Sequence, residues 1–123
     1  MIWSAMGAMG LAFAVAFGAF GAHALKGQLD AYSAGIYEKA VFYHFVHALG
    51  LLAVSVLPKA GVISQNASTW VCALLLAGIV LFSGSLYVLS LTGITVLGAV
   101  TPLGGVAFLA GWLFMLLGVA RSK

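Results

Sequence analysis

The chain has 123 residues, of which 64% are hydrophobic and only seven, five basic and two acidic, carry a formal charge. About a quarter of the residues of an ordinary soluble domain are charged, so this composition excludes a protein that folds with water as its main solvent. The net charge of +3 comes from a few basic residues near the ends of apolar segments, which predicts contact with the lipid bilayer and no binding of nucleic acid.

The length suits one transmembrane domain, residues 1–123, built from four membrane-spanning helices. One helical crossing needs about 20 apolar residues, so four crossings with short connections use nearly the entire chain. We therefore predict an all-α fold, an integral membrane four-helix bundle with a short amphipathic interfacial helix between the first and second spans. The predicted spans cover about residues 2–24, 40–57, 69–91 and 101–120, and the amphipathic segment covers residues 25–39.

The first span carries no formal charge and is long enough to cross a bilayer. Its sequence Ala22-His23-Ala24 is similar to a signal-peptide cleavage site, but a basic region at the start is lacking and the apolar run exceeds the roughly 7–15 residues of a signal core. We interpret it as a retained anchor. Its small residues recur every three or four positions, which favours close helix packing through Gly7, Gly18 and Gly21.

Residues 25–39 alternate polar and charged residues with apolar residues at helical spacing, which is typical of an interfacial helix. We interpret Lys26 as reaching the headgroups and Glu38 as part of a solvated face. The segment is expected to continue into the second span, which ends at Pro58. The third span follows a polar turn at residues 64–68 and ends at Thr92-Gly93.

The fourth span is predicted to begin at Thr101-Pro102, with the threonine hydroxyl as the N-cap and proline in the first turn. Glycines recur every seven residues along it, at Gly104, Gly111 and Gly118. This line resembles the one in the first span, so we expect the first and fourth spans to pack on each other, within the bundle or between protomers. The expected partners are therefore a second copy of the chain or other membrane subunits.

An even number of spans puts both termini on one side of the membrane. That side holds three basic residues, Lys59, Arg121 and Lys123, and the opposite side holds two, Lys26 and Lys39. The bias predicts termini in the cytoplasm and, in a bacterium, location in the inner (plasma) membrane.

Polar side chains within the spans gather at similar depths in one leaflet, where they form a candidate ligand or proton site. The members are His23, His44, His47, Tyr43, Tyr87, Ser83 and Thr101. His44 and His47 are three residues apart and project from one helix face. With His23 they would make an imidazole-rich pocket for a transition metal, for haem or for a proton relay, so the metal and the cofactor stay open. Alternatively, these residues hydrogen-bond across the bundle and fix the helix packing.

Recognisable catalytic motifs are absent from the sequence, including phosphate-binding glycine loops, nucleophile elbows and zinc-protease signatures. No catalytic residue is therefore assigned. The single cysteine, Cys72, excludes an internal disulfide. The sequence predicts a non-enzymatic structural or assembly protein. The alternatives are a cofactor-, metal- or proton-handling protein with the histidine site, and a small-solute transporter that works as an oligomer, which ranks last because the polar residues lie in one leaflet only.

Five short motifs follow in order along the chain. They are Gly18–Leu25 (GAFGAHAL), Phe42–Leu49 (FYHFVHAL), Phe82–Tyr87 (FSGSLY), Leu97–Gly105 (LGAVTPLGG) and Gly111-Trp112. In these motifs the sequence closely resembles the domain of unknown function 423 family. The members of that family are small four-span membrane proteins, and they include bacterial inner-membrane proteins and a human transmembrane relative. The resemblance implies the four-span architecture. It carries over no catalytic residues.

Overall fold

The computed structural model describes residues 1–122 and contains four helical stretches long and apolar enough to cross a membrane. The α-helices are α1 (Ile2–His23), α2 (Ala31–Val56), α3 (Gln65–Gly78), α4 (Gly84–Thr92) and α5 (Thr101–Arg121). One π-helical turn, Ile79–Ser83, joins α3 and α4 into a single crossing, and short 3-10 turns lie at Leu57–Ala60 and Thr95–Ala99. No strand occurs within residues 1–122. The predicted all-α four-helix membrane bundle is therefore confirmed.

The helices pack mainly with their neighbours along the chain. α1 lies along α2, α5 lies along α3 and the π-helical turn, and α2 also contacts α3 and α4. The expected pairing of the first and fourth spans is not the one found within the chain, because short connections place consecutive antiparallel helices side by side. The glycine lines of α1 and α5 therefore face α2 and the α3–α4 crossing respectively.

The segment between α1 and α2 does not form a separate interfacial helix. Residues 24–30 are turns, with Gly27 at φ +76°, and residues 31–39 are the uninterrupted beginning of α2. Asp30 restarts the helix because its carboxylate accepts a hydrogen bond from the Ser33 backbone N–H at 2.7 Å. This bond holds the pKa of Asp30 below its usual value, since it favours the charged form.

Thr101 begins α5, but its hydroxyl does not cap the helix. The expected N-cap role is wrong, because the Thr101 hydroxyl lies 2.6 Å from the Ser85 hydroxyl of α4. Pro102 occupies the first turn of α5, where its missing N–H leaves no helical bond unmade. Through the contact with Ser85, Thr101 therefore ties α5 to α4.

Six glycines of α1 and α5 lie where a neighbouring part of the chain approaches. A Cβ at Gly7 would meet the Leu52 backbone of α2, and one at Gly104 would meet the Phe82 backbone. The side chains facing the other four are Val41 at Gly18, Tyr37 at Gly21, Leu75 at Gly111 and Ile63 at Gly118. Backbones approach this closely only where no side chain stands between them.

Candidate functional site

His44 lies in a cluster formed by α1, α2 and α4. The ring is buried, and its Nδ1 lies 2.9 Å from the Tyr87 hydroxyl of α4. The Tyr87 ring packs edge-on against Phe17 of α1 and Tyr37 of α2, with centroid distances of 5.0 and 5.3 Å. The Tyr37 hydroxyl donates a hydrogen bond to the Phe17 carbonyl. Two hydrogen bonds thus link three helices at one level.

His47, one turn further along α2, lies in a different cluster against α5. Its Nδ1 lies 2.8 Å from the Tyr43 carbonyl, and because a carbonyl only accepts, Nδ1 carries the proton. The ring stacks on Phe108 with centroids 3.5 Å apart and planes 13° apart, and Trp112 lies at 5.9 Å. Tyr43 packs against Phe82 at 4.4 Å. His47 is therefore held by aromatic stacking and by its own helix.

The three histidines do not converge on one point. His44 packs against α1 and α4, His47 packs against α5, and His23 is exposed at the end of α1, roughly 9 Å further along that helix than Phe17. Among residues 1–122, no three His, Cys, Asp or Glu side chains are grouped so as to hold a metal ion. The structure thus places two predicted site residues in separate clusters and the third away from both.

Ser83 and Thr101 join helices by hydrogen bonds. The Ser83 hydroxyl is buried in the π-helical turn and donates to the Ala40 carbonyl of α2 at 2.9 Å. Together with the Thr101–Ser85 contact, it secures the start of α4 to two neighbouring helices, α2 and α5. Such interhelical bonds stabilise membrane bundles because lipid offers no alternative partner.

Polar contacts also occur in the opposite half of the bundle, which the sequence predicted to be packing surface. The Ser4 and Ser55 hydroxyls of α1 and α2 lie 2.8 Å apart, and the buried Ser68 hydroxyl donates to the Val54 carbonyl at 3.0 Å. The predicted confinement of polar groups to one leaflet is therefore wrong. The sequence did contain a signal for the Ser4–Ser55 contact, because Ser4 near the start of α1 and Ser55 near the end of α2 lie at the same depth in antiparallel helices.

A cavity of about 830 Å³ lies between the end of α1 and the start of α2. Its small lining residues include Gly21, Ala22 and Ala34, and its charged residues are Lys26 and Glu38. Hydropathy alone did not predict it, because its lining residues come from both α1 and α2 and face one another only after the two helices pack. The volume is within the range of small-molecule sites, roughly 300–1,000 Å³.

Comparison with known proteins identifies a family. The profile of the family described as "Protein of unknown function (DUF423)" matches residues 17–105. A UPF0382 membrane protein of Staphylococcus saprophyticus is 47% identical over 116 residues, 94% of each chain. The UPF0382 membrane protein YwdK of Bacillus subtilis is 45% identical over 118 residues, again 94% of each chain. No solved structure matches. The chain belongs to the DUF423 family of membrane proteins.

Proposed function

We propose that this multi-pass membrane protein has a non-enzymatic structural or assembly role, in which α1 packs against α1 of a second copy. The observation that carries the proposal is a second line of small residues on α1, exposed on the side away from α2. Its members are Ala5, Ala8, Ala12, Ala16 and Ala19. Ala12 and the buried Ala14 are two residues apart, which separates them by about 200° around the helix.

The glycines of α1 pack against α2. The exposed alanines therefore take no part in packing within the single chain. Lines of small residues let two helix backbones approach, and a line of this kind on one chain is complementary to the same line on another. Methyl groups spaced in this way would gain little from contact with lipid tails. A second copy would instead provide close van der Waals contact along the helix.

The environment of the buried polar groups supports a structural role over a reactive one. His44 contacts Tyr87, His47 contacts the Tyr43 carbonyl and Ser83 contacts the Ala40 carbonyl. Among residues 1–122, no fully buried side-chain nitrogen or oxygen lacks a hydrogen-bond partner. Groups engaged in this way fix helix positions, whereas a catalytic base needs a free position next to its substrate.

Self-association is tested by energy transfer between two labelled populations of the protein in lipid vesicles. We expect transfer in the wild type and its loss in Ala12→Phe, because a large ring separates the two helices. The matched control is Val106→Phe on the exposed face of α5, which adds comparable bulk elsewhere. A wild type without transfer at any dilution would overturn the second copy as partner. A stoichiometric metal or chromophore in protein purified without chelators would overturn the non-enzymatic role.

We also propose that the termini face the cytoplasm and that the protein lies in the plasma membrane. The proposal rests on the basic residues Lys59, Arg121 and Lys123 on the side of the termini. Lys123 lies outside the described residues. Single cysteines at positions 26 and 59 of a Cys72→Ala chain can be treated with a membrane-impermeant maleimide on intact cells. Labelling at 26 alone is expected, and labelling at 59 alone would reverse the orientation.

A further inference from the structure

The cavity between α1 and α2 has one charged end and one apolar end. At the charged end Lys26 comes from the turn after α1 and Glu38 from the first part of α2, and both side chains are exposed. At the apolar end lie Phe42, Phe45 and Val46. A groove with this polarity suits a ligand that has a charged head and a hydrocarbon tail.

The space exists because small residues occupy the facing positions of the two helices. Gly18 and Ala22 of α1 and Ala34 of α2 all line it, and none of these side chains is larger than a methyl group. Larger residues at these positions would close the groove. The small residues at these positions therefore account for the space between the two helices.

The depth of the groove beyond Glu38 is close to the thickness of the hydrocarbon of one leaflet. Glu38 and Val46 are eight residues apart on a continuous helix, which corresponds to roughly 12 Å along the axis. Half of the hydrocarbon core of a bilayer is about 15 Å. A lipid with its headgroup beside Lys26 and Glu38 would therefore extend an acyl chain along Phe42 and Phe45.

Lys26 and Glu38, at the charged end of the groove, have opposite charges and would favour a headgroup that carries both an anion and a cation. The Lys26 ammonium complements a phosphate, and the Glu38 carboxylate complements a primary ammonium that donates hydrogen bonds to it. A phosphatidylglycerol headgroup offers no cation to Glu38, and a choline headgroup has no N–H to donate. We propose that this groove binds a phospholipid with an ethanolamine headgroup, with the phosphate at Lys26 and the ammonium at Glu38.

The test is lipid retention by the full chain. The protein is reconstituted in vesicles of equal phosphatidylethanolamine and phosphatidylglycerol and extracted in mild detergent, and the retained phospholipid is measured by mass spectrometry. We expect retention of phosphatidylethanolamine over phosphatidylglycerol by about threefold, as one partly solvated ion pair can supply. Glu38→Gln should remove this preference, and Lys26→Gln should lower the retention of both lipids.

Ala22→Phe is expected to fill the groove and to reduce retention of either headgroup. The controls are Lys59→Gln, which removes a charge at the other end of the bundle, and Val106→Phe, which adds bulk on α5. Glu38 and Lys26 are exposed, so their amide variants keep the fold and decide the question even where Ala22→Phe does not fold. Wild type without the preference, or Glu38→Gln with the preference unchanged, would overturn the proposal.

Discussion

His44 and His47 are one turn apart on the same helix and equally buried, yet the protein uses them differently. His44 is joined to another helix by a hydrogen bond to Tyr87, whereas His47 bonds to its own helix and stacks on a ring of α5. The difference shows that the position of a histidine in a membrane span does not define its role. The neighbouring helix decides whether the imidazole acts as a hydrogen-bonding group or as an aromatic ring.

The largest loss of stability should come from forcing α5 away from the α3–α4 crossing. This change would disrupt the cluster around His47 and leave the cluster around His44 intact. In Gly104→Ala the new Cβ would overlap the Phe82 backbone, so the two helices must separate. Overpacking of this kind costs about 1–3 kcal/mol or more. Thermal unfolding in detergent measures the loss. Gly105→Ala is the matched control, because its Cβ would lie 3.9 Å from Phe82, an ordinary contact, and an equal loss there would contradict the explanation.

Next in size is the hydrogen bond of His44. His44→Leu leaves the Tyr87 hydroxyl without its partner, which we expect to lower the stability by about 1–3 kcal/mol. A double-mutant cycle with Tyr87→Phe isolates the pair, and its coupling should be about 0.6–1.7 kcal/mol. A coupling of zero would mean that the two side chains stabilise the bundle independently.

A smaller effect should separate the two histidines by ring chemistry. His47→Leu loses the stack on Phe108, about 0.5–1.5 kcal/mol, and His47→Phe should recover most of it because a ring is restored. At the other position His44→Phe should recover little, because a phenyl ring has no nitrogen for Tyr87. The comparison is made by measuring the melting temperatures of His44→Leu, His44→Phe, His47→Leu and His47→Phe. Equal recovery at both positions would remove the distinction between the clusters.

The smallest effect should come from outside both clusters, at the start of α2. Asp30→Ala removes the N-cap, and we expect a slight decrease in melting temperature. The pKa of Asp30 is lowered by the Ser33 N–H, so its contribution is present above the ordinary pKa of 3.8 and is lost as the pH falls below it. The difference between wild type and variant should therefore disappear in acid. A difference that persisted at low pH would assign the effect to helix propensity.

The fold followed from the sequence because a bilayer imposes strict requirements on length and polarity. Four apolar stretches of suitable length leave little alternative to four helices, and Gly93, at φ +72°, marked the end of the third crossing. The pairing of helices did not follow, because a line of small residues accepts any helix and carries no information about which one. Gly104 therefore indicated a close contact without identifying Phe82.

The histidine site was predicted from depth and from the spacing of His44 and His47, and both are properties of a single helix. The structure depends also on the rotation of α2 relative to α1, α4 and α5, which determines which ring meets which partner. The π-helical turn at Ile79–Ser83 had no recognisable signal, since its residues are ordinary helix formers in lipid. The groove was also not predicted, because its two walls, from α1 and α2, are brought together only when these helices pack.

The packing of each helix against its near neighbours in the chain has a consequence for biogenesis. Because α1 lies along α2 and α5 lies along the crossing that precedes it, most of the contacts are local in sequence. Folds with local contacts assemble rapidly, and membrane helices that enter the bilayer in turn meet their partners soon after synthesis. The bundle is thus arranged as two hairpins, α1 with α2 and the α3–α4 crossing with α5, which contact each other through α2.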